Sequence, residues 1–356
     1  MKNRLFLDIH AIQTLPPANI NRDDTGSPKT AQYGGVRRAR VSSQSWKRAM
    51  RRYFDEFGKE KNLGVRTLYV PSYIAEIIQF LDSSISEVEA MKKAASILNK
   101  GKIKINKDGK TGALFFISET QATALAQAAI SGEEDKEKIQ KILTDNPAID
   151  IALFGRMVAD DPKLNEDASS QVAHAISTHA VETEFDYFTA TDDRSPNEHA
   201  GAGMIGTVEF NSSTLYRYAN VAVHEFYRQL GSEKLLLNAL ALYIEAFIKS
   251  LPTGKVNTFA NQTLPNAVLI TLRSDRPLNL VTAYEKPLRS REGYTIQSIE
   301  KLIDESNKVE KMAGESNYKI LLSLENINTE GLELAESIDD LIGKVIEKLS
   351  ALIKVE

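Results

Sequence analysis

Lys29, Arg37, Arg38, Arg40, Lys47, Arg48, Arg51 and Arg52 fall between Thr25 and Phe54 with no acidic residue among them. In a chain whose formal charge is −4, this is a local field of one sign. It suits a defined phosphate site rather than indiscriminate contact with polyanions. A solvated helix usually interleaves acids with bases so that pairs one turn apart can form. Here no acid follows until Asp55, so the cations repel one another unless an anion lies over them. Gly34-Gly35, just ahead of the arginines, lets backbone approach a phosphate closely, although a plain turn is the commoner use of two glycines.

Other groupings offer different chemistry. Asp23-Asp24 could ligate a divalent metal and make the chain a metal-dependent target-RNA nuclease. Adjacent loop carboxylates can equally cap a turn or pair with Arg22, and no further ligands accompany them. Gly201 to Gly206 fits GxGxxG, but a dinucleotide site needs a strand before it and a helix after. SPNEHA before it is loop-like and TVEF after it is strand-like, so these glycines read as flexibility. His174 and His179 stand about 140° apart on a helix, which prevents them sharing a metal and leaves structural roles. There is no GxSxG elbow and no cysteine, which excludes disulfides and thiolate centres. No catalytic residue, cofactor or metal ligand is therefore expected.

The elements that must position the cations can be read from apolar spacing. Ser42-Ser43 precede Trp46, Ala49, Met50, Tyr53 and Phe57, which predicts a serine-capped helix from Ser43 to Phe57. Gln44, Lys47, Arg48 and Arg51 then share the face opposite that stripe. Ahead of the helix, Leu5, Leu7 and Ile9 alternate with Phe6, Asp8 and His10, as in a half-buried strand. Residues 58–183 read as an inserted helical subdomain. Phe185 to Thr191 and Thr207 to Phe210, running on to Tyr218, read as a long hairpin, followed by a helix from Lys234 to Ser250 and a strand from Asn266 to Leu272. The resulting order, β, α, insertion, β, β, α, β, predicts an α+β fold of ferredoxin-like type, the order used by single-strand RNA-binding sheets. The expected units are residues 1–57, 58–183, 184–290 with the hairpin at about 189–206, and a helical 291–356 ending in an amphipathic helix from Thr329 to Val355. With 356 residues, 42% of them hydrophobic, the chain can bury a large core. No apolar run reaches the ~18 residues of a membrane span, and a cytoplasmic location is expected.

These residues resemble a known family. LDIHAIQTLPPANINRDDTGSPKTAQYGGVRRARVSSQSWKRAMRR, from Leu7 to Arg52, is similar to the N-terminal signature of the CasC family, the repeated backbone subunit of the type I-E CRISPR Cascade complex. IDIALFGRM ending at Met157, AHAISTHAVETEFDYFTATDD ending at Asp193 and GTVEFNSSTLYRYANV ending at Val221 extend the resemblance over most of the first 225 residues. It implies a hand-shaped, non-enzymatic protein with an RRM-like palm, helical fingers and a hairpin thumb. Its implied partners are CRISPR RNA, the target DNA strand paired to that guide, further copies of itself in a helical filament, and other Cascade subunits, with no membrane. The residues implied to hold RNA are Arg22, Lys29, Ser43, Gln44, Lys47, Arg48 and Arg51 in the palm, Met157 as an apolar wedge, and Phe188, Thr189, Met204 and Ile205 in the thumb. A general single-strand binding protein without a guide is the other non-enzymatic reading.

Overall fold

The computed structural model of the chain describes residues 4–58, 62–158, 161–190, 204–329 and 331–354, and the side chains of Met204 and Ile205 lie outside that description. Strand β1 (Phe6–Ala18) leads through β2 (Thr30–Tyr33) and β3 (Val36–Val41) into helix α1 (Ser43–Phe57). A separate layer follows, formed by β4 (Gly64–Thr67), α2 (Val70–Leu81), α3 (Glu87–Lys100), β5 (Phe115–Ser118), α4 (Glu119–Ile130), α5 (Lys136–Thr144) and α6 (Ile149–Phe154). The chain returns through β6 (Ser170–Val172), β7 (Ala175–Ser177) and the hairpin of β8 (Glu184–Ala190) with β9 (Met204–Ala222). Then come α7 (Val223–Leu230), α8 (Glu233–Lys249), α9 (Val256–Phe259) and β10 (Ala267–Arg273). The last elements are α10 (Thr295–Ala313), β11 (Tyr318–Ser323), β12 (Glu333–Leu334) and α11 (Ile338–Lys354).

One large sheet runs in the order β12-β11-β10-β1-β9-β7-β3-β2, with β6 and β8 also pairing β9, while β4 and β5 form a ribbon of their own. Both neighbours of β1 are antiparallel to it, in the registers Ile9↔Ile270 and Ile12↔Tyr216. The half-buried reading of β1 is corrected, because both of its faces are covered. Leu5, Leu7 and Ile9 join Val221, Ile270 and Leu272 beneath Met50 and Phe54 of α1, Leu240 and Tyr243 of α8, and Val345 and Leu349 of α11. On the other face Ile12, Tyr216 and Tyr218 lie under Leu280, Tyr284, Ile299 and Leu302. The aromatic rings of that face are therefore committed to the core. The sheet is not an open platform on which bases stack, as it is in single-strand RNA-binding sheets.

The helical layer has its own core, with Ile74, Ile78, Ala94, Leu98, Leu125 and Leu143 buried together. Its small residues allow close helix packing, and Ser86, Ser118 and Asp135 accept hydrogen bonds at the N-termini of α3, α4 and α5. Two expectations change. Strands β6 and β7, inside the span read as helical insertion, belong to the main sheet and pair with β9. Residues 291–356 are not all helix, because β11 extends the sheet beside β10 and the terminal helix begins at Ile338 rather than near Thr329. Strands of two to six residues leave too little periodicity to distinguish them from helix or loop. Among the described residues no helix is long and apolar enough to cross a membrane.

A carboxyl sits on the second face of β1. Asp8 is fully buried, accepts a hydrogen bond from the Tyr218 hydroxyl at 2.7 Å and one from the Leu278 amide at 3.0 Å, and has its pKa pushed up to about 7, chiefly by burial. The folded chain holds this proton up to about pH 7, whereas the unfolded chain releases it near the ordinary 3.8. Between those values the native state binds the extra proton, so this contribution to stability is lost as pH rises. Urea denaturation of the wild type should show a loss on the order of 4 kcal/mol from this group between pH 4 and pH 7. Asp8→Asn, which has no proton to release, should lack that loss, and identical pH profiles for the two proteins would refute the assignment.

Candidate nucleic-acid interface

Helix α1 forms where its spacing predicts, after the extended Ser42, but its buried stripe is Trp46, Met50 and Phe54. Phe57, assigned to the stripe by spacing, is 55% exposed and packs on the Tyr53 ring at 4.5 Å. Trp46 lies against the buried guanidinium of Arg217, 3.8 Å from ring centre to carbon. Arg38, counted above in the surface field, is likewise buried. It donates to the carbonyls of Ser177 and Tyr284 at 2.8 Å each and to that of Tyr33 at 3.1 Å, and it serves the fold. Gly34 and Gly35 form the turn of the β2–β3 hairpin with φ of +58° and +78°, and a side chain at Gly34 would overlap the Glu285 carbonyl. The plain-turn reading therefore holds for this pair.

Gln44, Lys47, Arg48 and Arg51 come together, as the helical spacing predicts, along one side of a cleft of about 790 Å³. The helical layer supplies the facing residues, among them Arg66, Phe116, Phe154 and Met157. Lys47 lies 5.7 Å from the Phe154 ring centre, and partial burial lowers its pKa. Arg51 is held from three directions. Its Nε donates to Asp150 at 2.9 Å, its terminal nitrogen donates to the Gly64 carbonyl at 3.1 Å, and its guanidinium lies 4.4 Å from the Phe116 ring centre. Asp150, which is buried, also accepts the Gly64 amide at 2.8 Å, and burial raises its pKa against the pull of Arg51. This cluster ties the basic helix to the helical layer, and sequence spacing could not reveal it because the partners lie 99 residues apart.

Met157 stands out from a turn that is itself fixed. Arg156 is buried and donates to the carbonyls of Leu164, Phe116 and Leu143 at 2.9, 3.2 and 2.6 Å, and burial pushes its pKa down to about 10. Its backbone pairs with Glu166, and Gly155 adopts φ +78°, where a side chain would crowd the Glu166 carbonyl. Met157, 86% exposed, is thus an apolar side chain presented to the cleft on a rigid base.

The remaining predicted residues lie elsewhere. Ser43 begins α1, and its hydroxyl reaches only Gln44, at 3.5 Å. Arg22 and Lys29 belong to the β1–β2 loop, Arg22 facing a second cleft and Lys29 a small crevice beside Arg40. Phe188 and Thr189 are exposed on β8, in register with Gly206 and Ile205 of β9, and Met204 pairs with Ala190. The hairpin tip, including Arg194, Pro196, His199, Gly201 and Gly203, lies outside the described residues. Asp23 closes its own turn by accepting the Thr25 amide, the Thr25 hydroxyl and the Ser27 amide at 3.0, 2.7 and 3.0 Å, which lowers its pKa. Among the described residues no three His, Asp or Glu side chains converge on a metal position. His179 is structural, accepting the Thr214 amide at 3.1 Å and stacking on Tyr294, whereas His174 is exposed beside Arg40. Arg66, Arg52 and Lys255 are cleft residues that helical spacing did not place.

The chain matches the family model described as CT1975-like protein over residues 7–344, and it belongs to that family. It is similar to a chain of a solved "CRISPR RNA-guided surveillance complex, pre-nicking", with TM-score 0.83 and 32% identity, covering 96% of this chain and 99% of that one. It is also similar to a chain of a "CRISPR RNA-guided surveillance complex", with TM-score 0.76 and 29% identity over 96% and 99% of the two chains. No curated protein matches it by sequence. The family resemblance read from the Leu7 to Arg52 run and its companion segments is borne out.

Two of the cleft cations, Lys47 and Arg51, should respond differently to truncation. Arg51→Ala leaves Asp150 buried without its cation and should cost roughly 3–5 kcal/mol of stability. Lys47→Ala should stay within about 1 kcal/mol of wild type, as a partly exposed cation with no carboxylate partner among the described residues. Chemical denaturation of both variants checks this, and equal stabilities would show that the Arg51–Asp150 link holds nothing.

Proposed function

We propose that this member of the CT1975-like family is a repeated backbone subunit of a CRISPR RNA-guided surveillance complex, of the type I-E Cascade kind, which binds the guide RNA and presents it to a target DNA strand. The observation that carries the reading is the cleft itself. Cations on one face of a rigidly seated helix look across to an apolar side chain fixed on the opposite wall, in a fold whose aromatic sheet face is closed. Phosphates would lie along Gln44, Lys47, Arg48 and Arg51, with Arg22, Lys29 and Ser43 near the start of the helix. Met157 would part adjacent bases, an unstacking cost of a few kcal/mol that wider contact with the strand offsets. The solved chains it resembles come from complexes named as RNA-guided, which supports a guide as the ligand rather than any single strand.

In this reading the strands β10-β1-β9-β7, antiparallel throughout, are a ferredoxin-like palm, the helical layer is the fingers, and the β8–β9 hairpin is a thumb. Phe188, Thr189, Met204 and Ile205 would meet RNA bound by an adjacent copy. The subunit performs no chemistry of its own, works in the cytoplasm, and assembles with further copies of itself and other Cascade subunits. The turn hydrogen bonds that occupy Asp23 favour this over a nuclease.

Expressed with its neighbouring genes, the chain should co-purify with a short RNA of uniform length. Replacing Lys47 and Arg48 by alanine should reduce the slope of log affinity against log salt by about 1.4, about 0.7 per phosphate contact on a single strand. With guide, complementary strand and magnesium or manganese present, neither strand should be cut. An unchanged slope in the folded double variant would remove the phosphate reading, and cleavage abolished by Asp23→Ala would establish the nuclease instead.

A further inference from the structure

Helix α1 carries four cations, and they differ in what holds them. Lys47 rests against Phe154 and Arg51 is bound to Asp150. Arg48 and Arg52, one turn apart, have no carboxylate at salt-bridge distance among the described residues. Both of these arginines line a second cleft, of about 590 Å³, which shares Arg48 with the first cleft and none of its other residues. Arg22 reaches it from the loop after β1, and Lys255 from the turn after α8; neither has a described carboxylate partner. Its acids are Asp23, taken up by its own turn, and Glu56. Ser250 also lines the cleft, and its hydroxyl, in a residue only 6% exposed, has no hydrogen-bond partner among the described residues.

We propose that this second cleft binds the phosphodiester backbone of the same single-stranded RNA that lies in the first, so that the strand crosses α1 over Arg48 and is held on both sides. The inference rests on the RNA-binding reading of α1. Arg48 and Arg52 are fixed about 6 Å apart along the helix axis, and with Arg22 and Lys255 they face a common space. Four cations against the two carboxylates Asp23 and Glu56 leave the cleft net positive, and cations held that close without described salt-bridge partners favour a polyanion, whose binding releases condensed counterions. The one aromatic residue lining the cleft, Tyr53, donates its hydroxyl to Glu245 at 3.0 Å and packs its ring on Phe57, so it offers no free platform for a base. The cleft therefore contacts phosphates and sugars without reading sequence. An acidic segment of a second protein copy would meet the same charges, but the continuity through Arg48 favours the RNA.

The test measures binding of an oligoribonucleotide of about 8 nucleotides, within the ~4–16 covered by one single-strand-binding module. The variant is Arg52→Ala with Lys255→Asn. Asparagine is chosen because residue 255 adopts φ +50°, a conformation Asn tolerates. The salt slope should fall by about 1.4, so that the wild-type advantage shrinks about sevenfold between 50 mM and 200 mM salt. A parallel variant, Gln44→Ala with Lys47→Ala, reports on the first cleft alone. An unchanged slope for the Arg52/Lys255 variant, while the Gln44/Lys47 variant binds more weakly, overturns the inference and leaves the α1 reading standing. No change in either variant overturns both. Unaltered binding of the short RNA, together with smaller multi-copy particles on long RNA, also overturns the inference and assigns the cleft to a neighbouring protein copy.

Discussion

Arg217 enters the core from β9 with its guanidinium between the indole of Trp46 on α1, 3.8 Å away, and the ring of Phe247 on α8, 4.5 Å away. It donates to the side-chain carbonyl of Gln13 on β1 at 2.6 Å and to the Phe247 carbonyl. Burial lowers its pKa to about 9, and no carboxylate neutralises it among the described salt bridges. A desolvated cation of this kind is tolerated only where ring faces and carbonyl dipoles replace its water. That requirement fixes the sheet, α1 and α8 relative to one another at a single point. The exposed cations of α1 then stand at set positions because the opposite side of the helix has only one place to sit.

A second cluster continues the chain of constraints outward. Asp150 binds Arg51 and the Gly64 amide together, so the basic helix, the β4–β5 ribbon and α6 meet at one buried carboxylate. Arg156, a few residues on, plays the same part for the turn that carries Met157. Two arginines that could have been taken for nucleic-acid contacts, Arg38 and Arg156, are instead internal braces, while Arg51 both braces the helix through Asp150 and Gly64 and lines the cleft. The exposed cationic surface is correspondingly narrower than the run of basic residues implies, because Arg38 is withdrawn into the core.

Helix α1 was legible in the sequence because Trp46, Ala49, Met50 and Tyr53 recur at three- and four-residue spacing after two serines, although the expected serine cap is not made: Ser42 is extended and its side chain forms no capping hydrogen bond. The face carrying Gln44, Lys47 and Arg48 followed from the same arithmetic. Phe57 lies on the same side of the wheel as Trp46 and Met50, but it is the last residue of the helix and is exposed there, packed on Tyr53, so spacing alone could not tell that the stripe is buried only as far as Phe54. Which cations are free was not legible, since Asp150, Ser177 and Tyr284 are brought to them by distant segments. The covered sheet face was equally hidden. Tyr216 and Tyr218 look like stacking residues until Leu280 and Tyr284 are seen above them. The Tyr33-Gly34-Gly35-Val36 hairpin follows the commoner of the two uses open to a glycine pair, a two-residue turn.

Strand β9 is continuous for 19 residues, about 60 Å if fully extended. Its inner residues pair with β1 up to Asn211 opposite Ala18, and the very next residue, Phe210, already pairs with Glu184 of β8. The β1 register shifts between the Leu15–Ser213 and Ala18–Asn211 pairs, at the root of the projection, but β9 runs unbroken through that irregularity, so the hairpin continues the sheet rather than hanging from a separate loop. Its aim follows from the twist of the sheet, and swinging it would mean bending a strand whose root carries Arg217. Identical copies would then project their arms at the same angle, a mechanical basis for regular pitch in any array of this chain.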